Sequence, residues 1–138
     1  MVEIVVEYEG NFHCQAVHGP SGAPLPTDAP RDNLGKGEAF SPTDLMATSL
    51  GVCMLTTMAI VATRQSLDLD LAGARATVRK HMTANPPRRI AKIEVRLEMP
   101  LSETHPACHV LKDAAVYCPV ALSLHPEVEK AVTFSWKA

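Results

Sequence analysis

Two of the four cysteines are the residues of this chain best placed for covalent chemistry. Cys53 lies inside a long uncharged run, and Cys118 comes much later, immediately before Pro119. A free cysteine is first of all a small buried hydrophobe. It becomes a nucleophile only as a thiolate, and two neighbouring thiols can then pass through a disulfide. No C-x-x-C or other local signature joins Cys53 to Cys118, so spacing alone leaves both readings open. Cys118 stands where an N-cap residue would precede Pro119, and backbone N–H groups there would lower its pKa. Cys53 sits in mid-helix, where burial would raise its pKa unless a cation or hydrogen-bond donor lies beside it. Cys14 and Cys108 are expected to be structural or incidental. His105, Cys108 and His109 fall near one face of a candidate helix, and imidazoles at i and i+4 with a thiolate can hold zinc. No further ligand pair is evident, so the expectation is exposed imidazoles and a protein with neither metal nor cofactor.

The element that must position Cys53 begins at Ser41. Ser41 suits an N-cap, Pro42 the first helical position, and Asp44 the reciprocal acid of a capping box. From Leu45 to Ala62 no charge interrupts the run, and its apolar residues surround the axis. Such a helix is either a membrane span or buried in protein. Four hydroxyl residues and a glycine dilute it, which favours burial. One sheet can cover only one side, so a second copy of the chain is expected on the other, as a C2 homodimer.

The other elements follow from period and punctuation. Val2–Tyr8 and Phe12–Val17 are strand-like around an Asn11 turn, and Gly19–Gly37 is a Pro- and Gly-rich loop with room for a short strand at Pro24–Thr27. Arg75–Met82 and Lys92–Met99 alternate and are joined by the Asn85-Pro86-Pro87 turn as antiparallel neighbours, and Ala131–Trp136 alternates again. A second helix is expected between Thr104 and Tyr117, with a further turn from Pro119 to Leu124. The fold class is therefore α+β, an antiparallel sheet with helices on one face, in a single domain over residues 1–138. A net charge of -2 and 4% aromatic residues argue against a nucleic-acid partner or an acidic membrane surface. The start, Val2-Glu3-Ile4-Val5, has no basic n-region or apolar core, so a cytoplasmic setting is the expectation.

The run Gly37-Glu38-Ala39-Phe40-Ser41-Pro42-Thr43-Asp44-Leu45, followed by Cys53, resembles the central helix of the OsmC/Ohr family. Pro86-Pro87-Arg88-Arg89-Ile90 is similar to a turn of one branch, and Cys118-Pro119-Val120 with Ser123 and Leu124 resembles the second cysteine motif. The resemblance implies an intertwined α+β homodimer with the cysteine helices at its centre. It also implies reduction of organic hydroperoxides, with Cys53 oxidised to a sulfenic acid and Cys118 closing a disulfide. A dithiol reductant of lipoyl or thioredoxin type then resets the pair. The chain departs from the hydroperoxide-resistance branch at two places. Thr43 stands where that branch has glutamate, and no arginine precedes Arg31, so the broader OsmC-like branch is the better match. Glu38, Arg31, Arg88, Arg89 and His13 are the candidates to support the thiolate instead, although a solvated turn is the favoured reading of Arg88 and Arg89. A non-catalytic dimer holding an apolar ligand between its central helices is the alternative function, and a zinc-stabilised module a third.

Overall fold

A computed structural model of the chain describes residues 1–137. It forms two compact units, one ending at Met46 and the other beginning at Ala47.

The first unit is an antiparallel meander of β1 (Ile4–Gly10), β2 (His13–His18) and β3 (Pro24–Asp28). All three strands lie where alternation and turn residues put them. Asn11 and Phe12 turn the first hairpin with φ of 52° and 64°, and the Phe12 N–H donates to the Tyr8 hydroxyl at 3.3 Å. The sheet builds almost no core of its own, for Ile4, Val5, Val6, Tyr8, Val17 and Leu25 are all exposed. After β3 the chain makes a 3-10 turn at Arg31–Asn33 and doubles back through Gly37, whose φ of 64° favours a residue without Cβ. The capping box then forms as expected. Ser41 Oγ accepts the Asp44 N–H at 3.1 Å, and Asp44 Oδ2 accepts the Ser41 N–H at 2.9 Å.

Helix α1 (Pro42–Arg64) continues from this cap into the second unit. Its buried stripe is Ala47, Leu50, Gly51, Met54, Met58 and Ala62, the i, i+3, i+4, i+7 spacing of one helical face. Met46, Val52 and Ile60 on other sides remain exposed, so the chain itself covers one stripe only. The helix has the length and apolarity of a membrane span, yet that stripe also makes it the core helix of this unit. It lies close to β4 (Arg75–Met82): a Cβ on Gly51 would come within 2.6 Å of Val78 Cγ2. Ile93, Val95, Leu97 and Met99 of β5 (Ile90–Ser102) are buried in strict alternation and share the core with Leu50, Met54 and Met58.

Two expectations are corrected here. The sheets number two, each of three strands, and the second is mixed. β4 pairs antiparallel with β5, but β6 (Glu129–Lys137) runs parallel to β5. The chain leaves the end of β5, crosses through α2 (Cys108–Val116) and α3 (Pro119–Ser123), and returns to start again beside Lys92. A crossover carrying helices is what lets neighbouring strands run the same way. Helix α2 also starts later than the Thr104–Tyr117 expectation. His105 Nδ1 accepts the Ala107 N–H at 3.1 Å, and the Cys108 N–H turns to His105 O at 3.0 Å, which holds the preceding residues in turns. Across the sheet end, Lys112 Nζ lies 5.4 Å from the Trp136 ring, which stacks on Phe134.

Candidate functional site

In the second unit the mid-chain cysteine and the late one come together. Cys53 is half-buried on α1, on a side of the helix adjoining the buried stripe. The break in the helix at Pro119 turns Cys118 into the N-cap of α3, with extended φ/ψ and a fully buried side chain. The two thiols are close enough for Cys53 to act on the titration of Cys118. Cys53 Sγ also lies 3.7 Å from Thr57 Oγ1, one turn further along α1. Thr57 was not singled out from sequence, although its i+4 position relative to Cys53 was the signal available.

The electrostatics reverse the sequence-based expectation for Cys118. Its pKa is raised, first because burial disfavours the thiolate, and further by the neighbouring Cys53. The Ala121 and Val120 N–H groups at the start of α3 do pull it down, as the N-cap position suggested, but they do not prevail. A five-residue helix contributes too little dipole to offset full burial. The sign for stability follows. A native thiol with a raised pKa stabilises the fold fully below the pKa of the unfolded thiol, about 8.5, and that contribution is lost as pH rises towards the native value. Under reducing conditions, urea midpoints should therefore fall more steeply between neutral pH and pH ~10 in the native protein than in Cys118→Ala. Equal slopes would remove this account of Cys118.

The remaining candidates fall into other settings. Arg89 pairs with Glu127 at 3.2 Å and donates to Ile90 O at 3.1 Å, and Arg88 is exposed in the same turn. Cys108 is buried and donates to Ser102 O at 3.2 Å, while His109 faces Asp113 at 3.4 Å. His105, in the preceding turn, is not on the helix that was to unite it with them. In the first unit, Arg31 Nε donates to Lys36 O at 3.0 Å. His13 and Glu38 meet there, 3.5 Å apart, around a residue that sequence reasoning passed over. This is Asp28, at the end of β3 and only 1% exposed, with Oδ1 3.2 Å from His13 Nε2. Nothing local in the Thr27-Asp28-Ala29 stretch marks Asp28 as buried; its partners come from β2 and the loop after β3. Its carboxyl is held below the usual carboxylate range, foremost by the Glu38 N–H.

An apolar groove of about 260 Å³ also runs between α1 and β4, lined by Thr48, Gly51, Val52, Leu55, Ala76 and Val78. It does not include either cysteine of the pair.

The OsmC-like protein family matches residues 35–132, a span that contains both Cys53 and Cys118. A solved structure from Psychrobacter arcticus 273-4, provisionally described as an osmotic stress induced and detoxification response protein, is 40% identical, with a TM-score of 0.89 over 98% of this chain and 96% of that one. An organic hydroperoxide resistance protein OsmC from Legionella pneumophila shares the fold at 18% identity, with a TM-score of 0.76 over 98% of this chain and 96% of that one. An OsmC like protein from Mycoplasma pneumoniae does so at 16% identity, with a TM-score of 0.79 over 100% of this chain and 98% of that one. No curated protein matches the chain by sequence.

Proposed function

The chain belongs to the OsmC-like family, and we propose that it is a thiol-dependent peroxidase that reduces organic hydroperoxides through Cys53 and Cys118. The observation that supports this most directly is the juxtaposition of a half-buried thiol with a fully buried one, close enough that each bears on the other's charge. Burial favours the protonated form of Cys118, so the role of attacking thiolate is assigned to the more accessible Cys53, which has the Thr57 hydroxyl 3.7 Å from its sulfur. The thiolate attacks one peroxide oxygen; an S–O bond forms, the O–O bond breaks, and the alkoxide takes a proton from solvent and leaves as an alcohol. The Cys118 sulfur then attacks the sulfenic sulfur of Cys53, an S–S bond forms, and water departs. A dithiol reductant returns both thiols and is itself oxidised to a disulfide. Such a reaction would be a detoxification, in keeping with the description of the Psychrobacter arcticus relative.

The active form in this proposal is a homodimer. Met46, Val52 and Ile60 of α1, and Ile4, Val6 and Tyr8 of β1, are large apolar side chains that their own units leave exposed. A second copy of the chain is the occupant that the family resemblance implies. The ligand-carrier alternative would hold an apolar ligand between the central helices of two such chains.

The test is to treat the reduced protein with one equivalent of an organic hydroperoxide and map its thiols by mass spectrometry. One internal Cys53–Cys118 disulfide should form for each alcohol released, with Cys14 and Cys108 still reduced. Oxidation spread evenly over all four cysteines would overturn the peroxidase reading.

A further inference from the structure

We propose that His13, Asp28 and Glu38 form a binding site for a divalent transition-metal ion of the zinc class. The three residues come from β2, the end of β3 and the loop that follows, and their ligand atoms lie within 4.8 Å of one another. His13 Nε2 is 3.2 Å from Asp28 Oδ1 and 3.5 Å from Glu38 Oε2. Ligands bound tetrahedrally at about 2.0–2.1 Å stand about 3.3–3.4 Å from each other, so both separations fit the edges of such a site.

Asp28 supplies an independent observation. It is 1% exposed, and its two oxygens are treated differently. Oδ2 accepts the N–H groups of Lys36 at 3.2 Å and Glu38 at 3.0 Å. Oδ1 is buried and receives no hydrogen bond of good geometry, although the His13 ring nitrogen is close by. A buried carboxylate oxygen without a donor is costly. At 3.2 Å the ring nitrogen and the carboxylate oxygen are placed to pair with each other as ions or to share one cation. The same Glu38 whose N–H fixes Asp28 turns its carboxylate back to His13, so the loop is already folded around the site. One imidazole and two carboxylates form a borderline to hard donor set, which suits zinc, cobalt or manganese better than a soft thiolate-seeking ion. Glu38 is 58% exposed, which leaves the fourth position open to water. The site uses neither Cys53 nor Cys118 as a ligand.

The test is a titration of the full-length, reduced, metal-free protein with Co²⁺ and with Zn²⁺. One ion should bind per chain, and the cobalt spectrum should show ligand-field bands without thiolate-to-metal charge transfer. Zinc should also slow amide exchange in the segment between Ala29 and Gly37. His13→Ala and Glu38→Gln should each weaken binding by more than the roughly 10–100-fold typical of losing an outer-shell partner. Glu38→Gln changes an exposed side chain and keeps its shape, so it reports on the site even if His13→Ala folds poorly. The proposal is overturned if neither ion binds, if the cobalt spectrum reports thiolate ligation, or if Glu38→Gln binds as the native protein does.

Discussion

Cys53→Ser should abolish turnover of an organic hydroperoxide, a loss on the order of 10³-fold or more, as expected when an activated nucleophile is removed. Cys118→Ser should behave differently. It should still consume one equivalent of hydroperoxide, halt as the Cys53 sulfenic acid, and turn over no further with a dithiol that needs the internal disulfide. A sulfenic-acid probe followed by peptide mapping reads both outcomes. The assignment rests on the unequal surroundings of the two thiols. Cys118 is fully buried, and burial holds its pKa up against the N–H groups of α3. Cys53 is only half-buried, and a hydroxyl lies next to its sulfur. Rapid oxidation of Cys118 in the Cys53→Ser protein would reverse the roles.

Val52→Glu should dissociate the proposed dimer while leaving the secondary structure of each chain in place. Val52 is 54% exposed on α1, in a run of apolar side chains that one copy of the chain leaves uncovered. An unpaired carboxylate buried in an interface costs about 3–5 kcal/mol, which corresponds to roughly 10²–10⁴-fold weaker association. Sedimentation equilibrium measures the change directly. A native protein that sediments as a folded monomer at micromolar concentration would end the dimer reading, and so would a Val52→Glu protein that associates as tightly as the native one.

The family assignment stands on the sequence match and on the 40% identical structure. The proposed activity rests on the thiol pair, and the proposed metal site on a cluster in the other unit. These can fail separately, because no ligand of the proposed metal site is a cysteine.

Local chemistry was legible wherever neighbours along the chain decide the outcome. Ser41, Pro42 and Asp44 announce the start of α1, because a capping box is closed within four residues. Ile93 to Met99 announce a half-buried strand, because side chains alternate across a pleat. Pro119 announces the break that makes Cys118 an N-cap. The tertiary structure alone decided what depends on residues distant in sequence. The parallel pairing of β6 with β5 follows from where α2 and α3 deliver the chain, and alternation carries no strand direction. Asp28 reads as an ordinary loop acid until the fold buries it against His13 and Glu38. The N-cap position of Cys118 suggested a lowered pKa, and burial reversed it, since the local dipole of a short helix is weak beside the desolvation of a charge. The sequence by itself determined which elements carry Cys53 and Cys118; how far each is shielded from water, and which group it faces, was settled only by packing.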